Sequence, residues 1–351
     1  MRIEDIDKNF KVETNIEREG LIFQNVLNTA PFKVHGLMYL DGKYRRLPEE
    51  IAKGTNPGVH SLHANTAGGR LRFKTNSPFV AIKAVMPTVY NWVHFPMTGS
   101  SGFDLYVDNS YFRTFVPPID LPSQKQYESV HDLDGEMHEI LIHFPLYSEI
   151  TEFYIGLKEG CEIAEADAYK TELPVVYYGS SITQGGCASR PGMAYQNILS
   201  RRHSCEQINL GFSGSAKGEQ IMADYIAGLE MSVYVQDYDH NAPTNEHLEA
   251  THEKFFLTIR EKHPDIPVIF ATRPHVADNT FGNYSGQRAA IIEKTYNNAL
   301  NRGDKNVYYL DNAALTALCG NEGNVDNTHP TDFGFMSMAN AFSGIFDKIL
   351  K

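Results

Sequence analysis

The second half of the chain alternates short apolar runs with helical stretches, and this alternation narrows the possible folds more than any other feature. Five runs are typical of buried strands: PVVYYG from residue 174, EQINLGF from 206, SVYVQDY from 232, PVIFATR from 267 and NVYYLDN from 306. Helical stretches follow near residues 192–203, 217–229, 245–262, 285–302 and 332–350. Five strands that are each followed by a helix predict a parallel sheet with helices on both faces. In such folds ligands bind beyond the carboxyl ends of the strands, so functional residues are expected there.

The first half, from residue 20 to about 170, has a different pattern. Apolar and polar residues alternate with period two in LRFKTN after Gly69, FVAIKAVM at 79–86, FDLYVD at 103–108, HEILIHFP at 138–145 and TEFYIGL at 151–157. This alternation is typical of antiparallel strands with one buried face, and little helix is expected. We therefore predict a β-sandwich of jelly-roll type over residues 1–172 and an α/β domain with a five-stranded parallel sheet over residues 173–351.

Composition excludes several classes of protein. The 351 residues are 42% hydrophobic and 21% charged, which suits a globular protein, and the net charge of −12 argues against nucleic acid or an anionic membrane as a partner. The four cysteines form no C-x-x-C pair, so neither a disulfide framework nor a zinc motif is indicated. Without a signal-peptide-like segment or an 18-residue apolar run, the chain is expected to be soluble and, as given, cytoplasmic. A secreted or periplasmic location follows instead if the sequence is a trimmed one.

Polar residues and glycines concentrate where the predicted strands end. The first strand ends at GSSITQGG, the second at NLGFSGSAKG, the third at QDYDHNAPT, and VDNTHPTDFGF precedes the last helix. Asp326 and His329 are three residues apart and can lie side by side, as the acid and base of acyl transfer do. Gly214 can offer a backbone N–H in a tight bend, and Asn241 a side-chain amide, to an oxyanion.

These four blocks resemble those of the SGNH (GDSL-type) hydrolase family, whose members are serine esterases, lipases and carbohydrate deacetylases on a flavodoxin-like sheet. The resemblance implies that Ser181 is the nucleophile, with His329 as base and Asp326 as its partner. The oxyanion hole would comprise the backbone N–H groups of Ser181 and Gly214 and the side chain of Asn241.

The chain departs from the family pattern at two places. Ser180 replaces the usual aspartate of the first block, which is not itself catalytic. The usual G-x-N-D block is absent, and Asn241 is chosen as its counterpart because Asn-Ala-Pro closes the loop; His240 or Asp239 could occupy that space instead.

The first half carries a weaker resemblance of its own. SGFDLYVD, at 101–108, is similar to the G-x-D-L-Y signature of β-sandwich domains that precede a subset of these hydrolases. The pair of domains is therefore similar to two-domain bacterial carbohydrate esterases with an N-terminal jelly roll.

Several aromatic and histidine residues are candidates for the substrate pocket. Trp92 and His94 could reach across the domain junction, although sandwich packing is an equal alternative for them. His240, and His275 after the fourth strand, are further candidates. His240, His247 and His252 are spaced by seven and five residues, which builds no i, i+4 pair, so no metal site is predicted.

Together these patterns predict a serine esterase that removes short acyl groups, such as O-acetyl, from a carbohydrate without a metal or organic cofactor. A longer-chain GDSL lipase or esterase and a non-catalytic carbohydrate-binding protein remain alternatives. An acyltransferase would use the same residues.

Overall fold

The computed structural model describes residues 12–27, 29–274 and 284–350. The strands of the first half are β1 (Leu21–Asn25), β2 (Lys33–His35), β3 (Met38–Leu40), β4 (Lys43–Arg45), β5 (Arg70–Thr75), β6 (Phe79–Val85), β7 (Phe103–Val107), β8 (Ser110–Phe115), β9 (Gln126–Asp132), β10 (His138–His143), β11 (Glu152–Lys158) and β12 (Ile163–Ala164). The five strands expected from the alternating pattern are therefore confirmed to within a few residues.

Ten strands of the first half form a β-sandwich, as predicted, while β3 and β4 pair with each other. One antiparallel sheet has the order β1-β11-β6-β9; the other has the order β12-β5-β10-β7-β8, with β2 paired to β5. Phe73, Ile82, Phe103, Ile140 and Ile155 are fully buried between the sheets, because every second residue of a strand points to the same face.

Helices occur in the first half, where little helix was expected. They are α1 (Glu49–Thr55), α2 (Pro57–Leu62), α3 (Met97–Ser100) and α4 (Leu121–Gln124). Asn56 caps α2, since its side-chain oxygen accepts a hydrogen bond from the Val59 backbone N–H at 2.9 Å. Ala52 and Val59 are buried against the second half of the chain. Contact with that half stabilises two helices too short to show a clear apolar period.

The second half contains the predicted parallel sheet. Its strands are β13 (Thr171–Gly179), β14 (Cys205–Gly211), β15 (Val233–Asp237), β16 (Val268–Ala271) and β17 (Val307–Leu310), in the order β14-β13-β15-β16-β17. The helices are α5 (Ser181–Gln184), α6 (Tyr195–His203), α7 (Gln220–Ala227), α8 (Asn245–Lys262), α9 (Tyr284–Asn301), α10 (Asn312–Leu315) and α11 (Asp332–Ile349). After β13 the chain adds β14 on one side of that strand and then β15 on the other side. A crevice opens at the carboxyl ends of the strands where the order changes sides in this way.

Both faces of this sheet are covered. Val175 and Tyr177 of β13 belong to the apolar cluster shared with α6 and α11, whereas Val176 and Tyr178 belong to the cluster shared with α7 and α8. Because both faces of the sheet are buried under helices, polar groups collect at the carboxyl ends of the strands. No helix in the described part of the chain combines the length and apolar character needed to cross a bilayer.

Candidate active site

A tight bend at the end of β13 delivers Ser181 to the edge of the sheet. A Cβ atom at Gly179 would lie 2.2 Å from the carbonyl oxygen of Asp237, so only glycine fits at this position. Ser180 then caps α5, because its hydroxyl accepts a hydrogen bond from the Ile182 backbone N–H at 3.2 Å. Ser181 thus becomes the first residue of a helix that begins at the crevice.

The three residues predicted as a triad lie together. His329 Nε2 is 2.9 Å from Ser181 Oγ, and His329 Nδ1 is 2.8 Å from Asp326 Oδ2. The other oxygen of Asp326 accepts hydrogen bonds from the backbone N–H groups of His329, at 2.8 Å, and Thr328, at 3.1 Å. Because the carboxylate accepts from Nδ1–H, the lone pair of the imidazole is on Nε2 and faces the serine hydroxyl. A base in this position can remove the proton of Ser181.

The acid of this triad is held in its ionised form. Partial burial raises the pKa of Asp326, but the hydrogen bonds from the backbone and ring of His329 outweigh that effect, so the net pKa lies below the ordinary value. An ionised Asp326 stabilises the positive charge that His329 acquires when it takes a proton.

A second carboxyl group, that of Asp237, holds α5 in place through hydrogen bonds. Asp237, at the end of β15, accepts hydrogen bonds from Thr183 Oγ1 at 2.9 Å and from Tyr195 Oη at 3.0 Å. Burial raises the pKa of Asp237 well above its ordinary value. This group fixes the turn that carries Ser181 and does not reach the crevice.

The loop after β14 carries Gly214 and contacts Asn241, two of the predicted oxyanion donors. Gly214 has φ +65°, and a Cβ atom there would meet nothing within 4 Å, so the backbone conformation rather than space calls for glycine. The Ser213 backbone N–H donates to Gln184 Oε1 at 3.0 Å, which ties the loop to α5. Asn241 Nδ2 donates to the Phe212 carbonyl oxygen at 2.9 Å, so the amide of Asn241 lies on this loop with a second N–H to offer.

The three histidines at positions 240, 247 and 252 have separate partners. His240 is half-buried, with Nδ1 3.5 Å from Nη1 of Arg273. His247 contacts the Lys217 carbonyl oxygen, and His252 is buried, which lowers its pKa to about 3. His275 lies outside the described residues.

An aromatic cluster from the sandwich reaches the nucleophile. Tyr147 Oη donates to the Ser181 carbonyl oxygen at 3.3 Å. Trp92 packs edge-on against Tyr147, with ring centroids 5.3 Å apart, and stacks on Phe95 and Tyr90 at 5.8 and 5.1 Å. Trp92 therefore lies near the junction between the two halves through its contact with Tyr147.

Two family models match the chain. The family model described as GDSL-like lipase/acylhydrolase matches residues 172–347, half of the chain. The chain belongs to this family. A second model, described as the N-terminus of SGNH-hydrolase-type esterases and named GxDLY, matches residues 22–163. Among curated proteins, none matches the sequence significantly.

Solved structures of similar fold include other acylhydrolases. A protein from Bacteroides ovatus described as a GDSL-like lipase is 28% identical, with a TM-score of 0.82, covering 94% of this chain and 98% of that one. The salicylyl-acyltransferase SsfX3 of a tetracycline biosynthetic pathway is 19% identical, with a TM-score of 0.79 and coverage of 95% and 100%. An acetyl xylan esterase from Butyrivibrio proteoclasticus is 11% identical, with a TM-score of 0.59 and coverage of 93% and 98%.

In this acylhydrolase the GxDLY signature connects the two halves of the chain. The buried carboxylate of Asp104 accepts hydrogen bonds from the Gly192 backbone N–H at 2.7 Å and from Arg190 Nη1 at 2.9 Å. Arg190 also donates to Tyr106 Oη at 2.7 Å. Gly102 is required at the start of the motif, because a Cβ atom there would lie 2.4 Å from the Thr98 carbonyl oxygen. The signature therefore binds the loop that follows α5.

The same loop also connects to the segment that carries the catalytic-base candidate. The backbone N–H of Ser189 donates to Asp332 Oδ1 at 2.8 Å, three residues after His329. Contacts thus run continuously from the sandwich, through the loop after α5, to the first turn of α11.

Two further residues of the acylhydrolase lie beside the triad. His94 Nε2 is 4.0 Å from Asp326 Oδ2, and the rings of His94 and His329 are 6.1 Å apart. Cys187 is buried next to them, and burial together with the Asp326 charge raises the pKa of its thiol to about 12. The loop that carries Cys187 can pass close to His329 because residue 186 is glycine; a Cβ atom there would lie 3.2 Å from His329 Cδ2.

Sequence reasoning missed three of these neighbours: Tyr147, Gln184 and Cys187. The segment PLYSE gave only a turn signal, and a tyrosine in a sandwich loop carries no mark of a contact with a serine in the other half. Gln184 and Cys187 lie within eight residues of the predicted nucleophile, and that proximity was the one signal that could have found them.

Proposed function

We propose that this protein is a serine esterase that removes short acyl groups, with O-acetyl as the leading candidate, from a carbohydrate. Ser181 attacks the ester carbonyl while His329 takes its proton, and Asp326 holds the imidazole in the required tautomer. The backbone N–H groups of Ser181 and Gly214 and the amide of Asn241 bind the oxyanion. Water then attacks the acyl-enzyme by the reverse path, and no metal or organic cofactor takes part.

One observation carries this proposal. The distances of 2.9 Å from Ser181 Oγ to His329 Nε2 and 2.8 Å from His329 Nδ1 to Asp326 Oδ2 connect nucleophile, base and acid by hydrogen bonds. The three residues come from two loops far apart in the sequence, and their convergence at the crevice supports a catalytic role over a structural one.

Two features support a small acyl group on a sugar. The loop beside the base is tightly packed, since a Cβ atom at Gly186 would lie 3.0 Å from Tyr147 Oη and 3.2 Å from His329 Cδ2. Tyr90 and Trp92 remain partly exposed near the junction and present flat apolar faces, against which the C–H face of a sugar ring can pack. The acetyl xylan esterase of similar fold acts on such a substrate, as its name states.

Hydrolysis of p-nitrophenyl esters tests the proposal. The wild-type protein should hydrolyse the acetate with a kcat/KM at least about 10-fold above that of the octanoate, if the tightly packed loop beside the base limits the acyl group as proposed. Ser181→Ala and His329→Ala should each lower kcat by about 10³-fold or more. Acetate release from acetylated xylo-oligosaccharides then examines the carbohydrate part of the proposal.

The matched control is Ser232→Ala. This serine lies just before β15, at the amino ends of the strands and away from the crevice. Its buried hydroxyl has no hydrogen-bond partner among the described residues, so the rate should stay within about twofold of wild type. An inactive wild type, or a Ser181→Ala variant that keeps its rate, would refute the esterase. Sugar binding unchanged in Ser181→Ala would then favour the carbohydrate-binding alternative.

Transfer to a hydroxyl acceptor uses the same residues and differs only in the second step. One solved structure of similar fold is named an acyltransferase. Adding a sugar acceptor to the ester assay distinguishes the two reactions: an esterase yields free acid in proportion to p-nitrophenol, whereas a transferase yields acylated sugar.

A further inference from the structure

Three metal-ligating side chains converge beside the triad. The sulfur of Cys187 and ring nitrogens of His94 and His329 all lie within 4.8 Å of one another. They come from three segments: the loop before α3, the loop after α5 and the loop before α11. We refer to His94, Cys187 and His329 as the thiol–imidazole cluster.

The spacing of the cluster is close to that of a tetrahedral metal site. Zinc binds nitrogen at about 2.0–2.1 Å and sulfur at about 2.3 Å, so neighbouring ligand atoms lie about 3.3–3.6 Å apart. Closing the cluster from 4.8 Å therefore needs movements of about 1.2–1.5 Å. The side chain of His94 is 41% exposed and can rotate to provide most of that movement.

The backbone holds the thiol against the imidazole. A Cβ atom at Gly186 would be in tight contact with Tyr147 Oη at 3.0 Å and His329 Cδ2 at 3.2 Å, and Cys187 itself has φ +73°. The side chain of Cys187 is buried in this loop, and its sulfur lies within 4.8 Å of a ring nitrogen of His329. Two of the three ligands are thus positioned before any ion arrives.

The ligand set matches a thiophilic divalent cation. Two imidazoles and one thiolate suit zinc and its neighbours, and three protein ligands leave the fourth position to water. Asp326 accepts from His329 Nδ1 at 2.8 Å, so the nitrogen left to bind an ion is Nε2. A carboxylate behind a ligating histidine orients the ring and increases its basicity.

We propose that the thiol–imidazole cluster binds a zinc-class divalent cation and that the bound ion reversibly inhibits the enzyme. The thiol proton of Cys187 passes to solvent, and bonds form from the ion to sulfur and to the two ring nitrogens. The hydrogen bond from Ser181 Oγ to His329 Nε2 breaks, because the ion takes the lone pair that accepted it. The inhibition rests on the proposed function, whereas the binding does not.

Binding is measured on the chelator-treated full chain with Co²⁺ as the spectroscopic probe. Wild type should show a near-ultraviolet thiolate-to-cobalt charge-transfer band that saturates at one ion per chain. Cys187→Ser should abolish the band, and His94→Ala should weaken Co²⁺ affinity by about 10- to 100-fold. The matched control Cys319→Ser replaces another buried cysteine and should keep the band.

Inhibition is measured by titrating Zn²⁺ into the p-nitrophenyl acetate assay, with each variant compared with its own ion-free rate. Wild type should be inhibited and should recover when a chelator is added. His94→Ala and Cys187→Ser should need about 10-fold more Zn²⁺ or more for the same inhibition. Equal inhibition of both variants and wild type, or Co²⁺ binding without the band, would overturn the proposal. If the protein has no esterase activity, the proposed function fails, and the Co²⁺ band still decides the metal site.

Discussion

The carboxylate of Asp326 accepts three hydrogen bonds. One oxygen accepts from the ring of His329, and the other accepts from two backbone N–H groups of the turn between them. Asn327, inside this turn, has φ +65°, a conformation that asparagine adopts more readily than most residues. The D-x-x-H spacing therefore encodes the turn as well as the pairing, which explains why the sequence alone predicted this part of the site.

Asp326→Asn tests the role of that carboxylate. The amide can donate to His329 Nδ1 and favours the tautomer with hydrogen on Nε2, which cannot accept the proton of Ser181. We expect kcat for p-nitrophenyl acetate to fall by about 10⁴-fold at pH 7.

Asp311→Asn is the matched control for this variant. Asp311 caps α10 by accepting from the Ala314 backbone N–H at 2.8 Å, and asparagine is an equally good cap. Its rate and thermal midpoint should match wild type. A fully active Asp326→Asn would show that His329 needs no carboxylate partner.

At the scale of elements, α5 and the loop after β14 form one unit through Gln184. This fully buried side chain accepts from the Ser213 backbone N–H at 3.0 Å, and its amide donates to Asn65 Oδ1 at 3.1 Å and to the Leu146 carbonyl oxygen at 3.2 Å. Gln184 thus fixes the loop of Gly214 relative to Ser181 and connects both to the sandwich.

Gln184→Leu should release the Gly214 loop. Because the oxyanion donors lose their fixed position, kcat should fall by at least about 10-fold with a small change in KM, measured with p-nitrophenyl acetate. Gln207→Leu is the control: this buried glutamine of β14 donates to Asn197 Oδ1 at 2.6 Å, and its loss should lower stability without changing kcat. Equal kcat values for the two variants would argue against this positioning role.

The elements were predictable to different degrees. The strand–helix alternation of the second half is local, so the sheet, its five longer helices and the polar strand ends were predicted from the sequence, whereas the four-residue helices α5 and α10 were not. The helices α1 and α2 were not, because Ala52 and Val59 are buried by the far half of the chain rather than by a repeating apolar face of their own. Tyr147 was missed for the same reason, since its partner Ser181 is 34 residues away across the junction.

At the scale of the whole molecule, a buried ion cluster connects the sandwich to the parallel sheet. Glu206 of β14 pairs with His35 of β2 and with Arg70 of β5. Arg70 also donates to Tyr169 Oη at 3.0 Å. Burial alone would raise the pKa of Glu206, but the charge of Arg70 and the hydrogen bond from His35 lower it to about 2.

This depressed pKa makes the stability of the protein depend on pH. An unfolded glutamate titrates near 4.3, so the pairing stabilises the fold above that pH and is lost as the pH falls toward 2. The contribution at neutral pH is on the order of 3 kcal/mol. Burial also lowers the pKa of His35. The folded protein therefore binds a proton at His35 less readily than the unfolded chain does, and this too reduces stability at acid pH.

Glu206→Gln should therefore lower the free energy of unfolding by about 2–3 kcal/mol at pH 7 and by about half as much at pH 3. Urea unfolding at the two pH values measures this difference. Glu139→Gln is the control, since Glu139 pairs with Arg72 at 2.7 Å in a more exposed position and should contribute at most about 1 kcal/mol. A Glu206→Gln effect that does not change with pH would contradict the linkage.

The proposed mechanism requires that His329 activates Ser181 as a nucleophile. Labelling with a small fluorophosphonate, followed by mass spectrometry of the peptides, tests it most directly, because the reagent forms a stable bond only with an activated serine. We expect one adduct per chain, on Ser181, and none in Ser181→Ala or His329→Ala. An adduct on another serine such as Ser213, or labelling that survives Ser181→Ala, would contradict it.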